Sequence, residues 1–133
     1  MRNKKILVVD DDPDVLQGMH IRLKANHYDI SLAGDTFSAV AEARRCNPDL
    51  ILLDLGLPAG GGFVVMERLK MIPSLAIIPI VIVSARDGLG NQKRALDAGA
   101  KAFLQKPVDD GELLAVVRQA LGEGVRKESP TFF

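Results

Sequence analysis

Cysteine is all but missing from this sequence. Cys46 stands alone, so no internal disulfide can form and the chain suits a reducing compartment. Its plain reading is a free thiol on or near a helix. An excess of charge is missing too, with 17 Lys and Arg against 17 Asp and Glu. Such a balance makes no electrostatic case for direct binding to nucleic acid or to a membrane surface. No apolar run approaches the roughly 20 residues that cross a bilayer, and the N-terminus carries no signal-peptide core, so the expected location is cytoplasmic. His20 and His27 are isolated histidines. There is no Cys/His metal set, no P-loop and no Rossmann glycine fingerprint to carry a different cofactor.

What is present is an ordinary globular composition, 47% hydrophobic and 26% charged over 133 residues. That is enough for one good core and too little for two. No internal repeat or low-complexity segment occurs. The chain converges on the stretch from Asp49 to Pro58. Leu50 to Leu53 is too short an apolar run for a helix and suits a strand buried on both faces. It stops on a carboxylate, Asp54, followed by Gly56, Pro58 and the glycines Gly60 to Gly62, which read as a loop. An acid at the carboxyl end of a central parallel strand lies where open α/β sheets bind ligands.

Other strands repeat the arrangement. Ile6 to Val9 runs into Asp10, Asp11 and Asp12, and Ile80 to Val83 runs into Ser84 and Ala85. A weaker run, Ala102 to Leu104, ends at Gln105, Lys106 and Pro107. Carboxylates, a hydroxyl and an ammonium thus reach one edge of a sheet, which scattered turn caps would not do. Two of the clustered acids have a plainer task. Asp12 suits a helix N-cap, with Pro13 at the first helical position and Asp14 at the positive dipole end.

Between these strands the periodicity supplies helices. Val15, Leu16, Met19 and Leu23 share one face of the first helix, while Ile21 points away. Tyr28 to Ala33 alternates as a half-covered edge strand. Asp35 and Thr36 start a second helix, expected to turn Phe37, Val40 and Ala41 inward and to end before Asn47 and Pro48. A third helix presents Val65, Met66, Leu69 and Ile72, and Pro73 and Pro79 bracket the connection that follows. Gly88 and Gly90 are expected in a flexible loop before a short helix that Gly99 closes. The last helix runs from about Asp110 to Leu121. A β-α alternation repeated five times predicts a parallel sheet with helices on both faces and right-handed crossovers.

The set Asp10-Asp11, Asp54, Ser84-Ala85 and Lys106-Pro107, in that order and spacing, resembles the receiver domain of two-component response regulators, over roughly residues 4 to 121. The pattern suits the flavodoxin-like order 2-1-3-4-5, whose switch point between strands one and three sets Asp10 and Asp11 beside Asp54. The expected domain is residues 1–121, with 122–133 a polar tail or linker remnant.

Clustered carboxylates repel; a pair about 4 Å apart costs about 4 kcal/mol at an effective dielectric near 20. Such a cluster takes up protons or binds a hard cation, and oxygen-only ligands favour Mg²⁺. The resemblance implies Asp11, Asp54 and the Gly56 carbonyl as direct ligands, with Asp10 acting through water. It implies Asp54 as the nucleophile that becomes an aspartyl phosphate. Lys106 and Ser84-Ala85 would serve the phosphoryl oxygens, and a cis Lys106-Pro107 peptide would aim the lysine. Ser84 and Phe103 would form the switch, read out on the face of the last two helices and the Ala102 strand (the family's 4-5-5 face). Leu113, Leu114, Val116, Val117, Ala120 and Leu121 span more of the last helix than a core requires. The surplus could seal a homodimer or receive a downstream protein.

The implied donor is a sensor histidine kinase or phosphotransfer histidine, and the only catalysis implied is self-phosphorylation and dephosphorylation. Two other readings are a receiver cut from the N-terminal part of a longer regulator and a haloacid-dehalogenase-type phosphohydrolase. The latter needs a second Asp two residues after the first, where this chain has Gly56. A stand-alone receiver is the preferred reading of the two receiver forms. Gly61 replaces an acid common in the family, which predicts a looser loop. Gly56 and Arg86 occupy positions that tend to set phosphoryl lifetime.

Overall fold

The computed structural model describes residues 3–58, 60–85 and 89–123. Five strands, β1 (Lys5–Val9), β2 (Asp29–Ala33), β3 (Leu50–Leu53), β4 (Ile80–Ser84) and β5 (Ala102–Gln105), form one sheet. Its order is β2-β1-β3-β4-β5 and every pairing is parallel. This is the flavodoxin-like, doubly wound arrangement. The helices are α1 (Pro13–Lys24), α2 (Thr36–Cys46), α3 (Gly61–Lys70), α4 (Pro73–Ala76), α5 (Leu89–Asp97) and α6 (Asp110–Ala120).

Strand alternation divides the core into two layers. Ile6, Val8, Leu50, Leu52, Val81 and Val83 face α1 and α6, meeting Met19, Leu23, Leu113 and Val117. Leu7, Val9, Ile51, Leu53 and Ile82 face the other helices, meeting Ala39, Ala43, Val65, Met66, Leu69 and Ala95. Leu50 to Leu53 are at most 1% exposed, and each such side chain contributes about 1.5–3 kcal/mol of burial free energy. That is why the central strands read as unbroken apolar runs.

Local chemistry sets the helix ends. The Asp12 carboxylate accepts from the Asp14 N–H at 2.9 Å, with Pro13 in the first turn. Asp35 and Ser38 form a reciprocal capping box on α2, and Asp109 accepts from the Glu112 N–H at 2.9 Å on α6. Asn47, at φ +46, turns the chain out of α2 in the left-handed region that Asn tolerates. Cys46 is buried in the last turn of that helix.

Several expectations need correction. Among the described residues there are six helices rather than five, because Pro73 begins the single turn α4, whose Leu75 is buried. On α2 the buried residues are Thr36, Ala39, Ala43 and Cys46, whereas Phe37 is 78% exposed and Ala41 is exposed as well. Small residues let α2 lie close to the sheet, so a reading that weighed side-chain size chose the wrong stripe. Gly90 lies inside α5, not in a loop, while Arg86, Gly88 and residues 124–133 fall outside the described residues. Gly61 and Gly62 are buried first-turn residues of α3, so this part of the glycine run is packed, while Gly60 is exposed.

The reason is a close backbone approach. The Gly62 N–H donates to the Leu55 carbonyl at 3.1 Å. A Cβ on Gly62 would stand 2.5 Å from the Asp54 carbonyl oxygen and 3.1 Å from Leu55 Cα. Backbone cannot yield as a side chain can, and overpacking of this kind costs about 1–3 kcal/mol. Gly62→Ala should therefore lower unfolding free energy by about 1–3 kcal/mol in urea titration. Gly18→Ala, with open space around it, should be neutral or stabilise by up to about 1 kcal/mol. Equal effects of the two would contradict the close approach.

Candidate functional site

β1 and β3 lie side by side with Val9 opposite Leu53, so the residue after each strand emerges at the same level. The Asp54 N–H donates to the Val9 carbonyl at 2.9 Å and the Asp10 N–H to the Ala33 carbonyl at 3.1 Å. These ladder bonds fix the backbones of both acids. One ligand oxygen from each of Asp10, Asp11 and Asp54 falls within 4.8 Å of the others. Asp10 and Asp54 are buried, at 3% and 7% exposure, and Asp11 is exposed. Asp12 and Asp14 stay outside the cluster, at the start of α1.

Lys106 follows the edge strand β5, at the same carboxyl-terminal edge of the sheet. Its backbone N–H donates to the Ser84 carbonyl at 3.0 Å, which extends the β4–β5 pairing past Gln105. The Lys106–Pro107 peptide is cis. The ammonium Nζ lies 2.6 Å from Asp10 Oδ2 and 3.9 Å from Asp54 Oδ1. It is thus committed to Asp10 and only within reach of Asp54. Ser84 is fully buried, and Ala85 lies at the exposed end of β4. Gly56 is half-buried, two residues beyond Asp54. Phe103 pairs with Ile82 and packs, partly buried, on the same core layer. Ser84 shares that face by strand alternation.

Electrostatics follow from this packing. Burial holds the Asp10 carboxyl above its ordinary value of 3.8, and Asp54 adds to the rise. The Lys106 ammonium and the Asp12 N–H work against it without prevailing. All candidate metal ligands are oxygens, and three carboxylates face a single ammonium. That donor set fits a hard divalent cation of the Mg²⁺ class.

Sequence reasoning missed one feature beside the cluster. The Arg94 guanidinium of α5 stacks on the Phe63 ring of α3, 3.8 Å from its centroid. Residues 31 positions apart carry no local signal for such a contact. The Lys106–Asp10 pair was also not legible, since the spacing showed only that both reach one edge.

The family model for the response regulator receiver domain matches residues 6–118, and the chain belongs to that family. It is a receiver domain of the two-component type. Response regulator PleD of Caulobacter vibrioides is 43% identical over 114 residues, covering 86% of this chain and 25% of PleD. The DNA-binding dual master transcriptional regulator RpaA of Synechocystis is 38% identical over 117 residues, covering 88% of this chain and 48% of RpaA. The chain therefore spans a quarter to about half the length of these curated relatives. Among solved structures, the receiver domain of sensor histidine kinase PA1611 from Pseudomonas aeruginosa has magnesium coordinated in its active-site cleft. It superposes with a TM-score of 0.83 at 27% identity, over 91% of this chain and 99% of that one. Among the described residues, no helix is long and apolar enough to cross a membrane.

A testable consequence concerns Asp10. Its folded-state pKa is raised, so its contribution to stability is full below the unfolded value and is lost as pH rises through the folded one. At neutral pH the buried charge opposes folding. Asp10→Asn, measured in chelator, should raise the thermal midpoint, and the gain should shrink on acidification toward 3.8. A lowered midpoint would mean that the Lys106 pair outweighs the burial cost.

Proposed function

We propose that the chain is a phosphoacceptor module in which Asp54 receives a phosphoryl group from a phosphohistidine of a sensor histidine kinase or phosphotransfer protein. The observation that carries this reading is the placement of Asp54: buried, grouped with Asp10 and Asp11 within 4.8 Å, and 3.9 Å from the Lys106 ammonium. A carboxylate oxygen of Asp54 attacks phosphorus, the phosphorus–nitrogen bond to the donor imidazole breaks, and that nitrogen keeps the electron pair and takes a proton. An acyl phosphate donor would lose its carboxylate in the same manner. Asp10, Asp11, Asp54 and the Gly56 carbonyl would hold Mg²⁺, which when bound supplies positive charge to the phosphoryl oxygens. Lys106 adds a second cation on the other side. Its competing partner, Asp10, is nearer than Asp54 by more than 1 Å, so a phosphoryl group on Asp54 would draw the ammonium across. Self-phosphorylation and dephosphorylation are the only catalysis this requires.

Incubation with a small phosphodonor and Mg²⁺ should add one acid-stable, base-labile phosphoryl group at Asp54. Mass spectrometry finding equal uptake in Asp54→Asn, or without Mg²⁺, would sink the assignment. Mg²⁺ should also raise the thermal midpoint of the unmodified chain, by the usual linkage of ligand to folded state. An unchanged Mg²⁺ titration of Asp11→Asn would remove Asp11 from the ligand set.

The output reading rests on Ser84 and Phe103, which share a sheet face on adjacent strands. Drawing the Ser84 hydroxyl toward the phosphoryl group would open space for the Phe103 ring, a two-state element that phosphorylation can bias. The face made by α5, β5 and α6 would carry the change to a second copy or a downstream protein. Leu114, Val116, Ala120 and Leu121 are only partly buried there, which leaves apolar area for such a contact. With Asp54 modified, amide exchange on α5, β5 and α6 should change; unchanged exchange, with unchanged sedimentation, would place the output surface elsewhere.

A further inference from the structure

A cavity of about 280 Å³ lies beside the acceptor loop, walled by Leu55, Gly56, Gly60, Gly61, Phe63 and Arg94. It begins at the residue that follows Asp54 and includes the backbone proposed to contact the cation. Glycine backbone at Gly56, Gly60 and Gly61 forms part of its wall, and the side chains of Phe63, Asn91 and Arg94 line it as well. Its cation is Arg94. Stacking on Phe63 at 3.8 Å occupies a face of the guanidinium, and a stacked guanidinium keeps its in-plane N–H groups free of the ring. Among the described residues Arg94 has no carboxylate partner. Among the described residues, the uncharged Phe63 ring is the contact that holds this cation.

Charge balance gives this cation a task. Asp10, Asp11 and Asp54 bring three negative charges and Lys106 returns one. A bound divalent ion would bring the cluster to neutrality, and an arriving phosphoryl donor adds negative charge again. We infer that the cavity is a donor subsite, in which Arg94 recruits the anionic group of an acyl phosphate or phosphorylated donor to the mouth beside Asp54. This rests on reading Asp54 as the acceptor. Arg94 is a specificity and recruitment residue here, distinct from the groups that touch the reacting atoms.

The test uses acetyl phosphate with saturating Mg²⁺ and follows the initial rate of Asp54 phosphorylation by mass spectrometry. Arg94→Gln should raise the half-saturating acetyl phosphate concentration by about two- to fivefold, the scale of one exposed charge. The maximal rate should hold. Arg94→Lys should restore most of the loss, and raised ionic strength should erase the difference by screening. A purely structural part for the Phe63 stack would instead lower the maximal rate or the thermal midpoint without shifting half-saturation. That result overturns the proposal, as does an unchanged saturation curve in Arg94→Gln. If the unmodified chain takes no phosphoryl group at Asp54, the acceptor reading fails and this inference with it. Normal uptake with identical curves removes the subsite alone.

Discussion

Crowded negative charge at one edge of the sheet is the constraint on which the rest of this structure turns. Asp10, Asp11 and Asp54 bring oxygens within 4.8 Å of one another, and two of the three side chains are buried. At about 4 Å and an effective dielectric near 20, each like-charged pair costs about 4 kcal/mol. A single lysine, 2.6 Å from one acid and 3.9 Å from another, cannot offset three such pairs. Burial, with a smaller push from the Asp54 charge, holds the Asp10 carboxyl above its ordinary value in spite of that lysine. A site with a standing demand for cations is well suited to a chemistry that delivers more negative charge together with a divalent ion.

The sheet makes the crowding possible. Like-charged side chains drift apart unless their backbones are fixed, and here the fixing is done by parallel ladder bonds at the switch point. Asp54 is tied to β1 through Val9, and Asp10 to β2 through Ala33. The two core layers hold those strands, with the four residues of β3 at most 1% exposed. Folding energy drawn from aliphatic burial thus offsets an electrostatic cost at the edge. Arg22 of α1 adds a tie from the far side, donating to Asp110 at 2.6 Å and to the Val108 carbonyl at 3.4 Å. That pair of contacts steadies the segment just beyond Lys106 and Pro107.

Much of this was legible in the sequence because its signals are local. Apolar runs that end in acids predict buried parallel strands opening on a site, and Asp12-Pro13 predicts the start of α1. The sheet order followed from which strands are wholly apolar and which alternate. Burial on α2 was misread because alanines at Ala39 and Ala43 make the inner face, while Phe37 is turned outward. Hydrophobicity alone does not register how closely a helix must approach a sheet. Contacts across the fold were not legible either. Nothing near Phe63 announces Arg94, and nothing near Asp10 announces that it, and not Asp54, holds Lys106 most closely.

The glycine run after Pro58 joins the two kinds of information. Read along the chain, Gly60 to Gly62 suggested slack where the family often has an acid. In the fold, Gly61 sits at φ +75, and a Cβ there would stand 2.5 Å from the Leu55 carbonyl oxygen. Gly62 meets the Asp54 carbonyl just as closely. An acid at position 61 would therefore require this turn to take another path, with the Leu55 carbonyl displaced. The exchange of an acid for Gly61 is thus more than the loss of one charge at the rim. It allows α3 to begin directly against the backbone that follows Asp54, and it puts glycine backbone in one wall of the cavity beside Arg94.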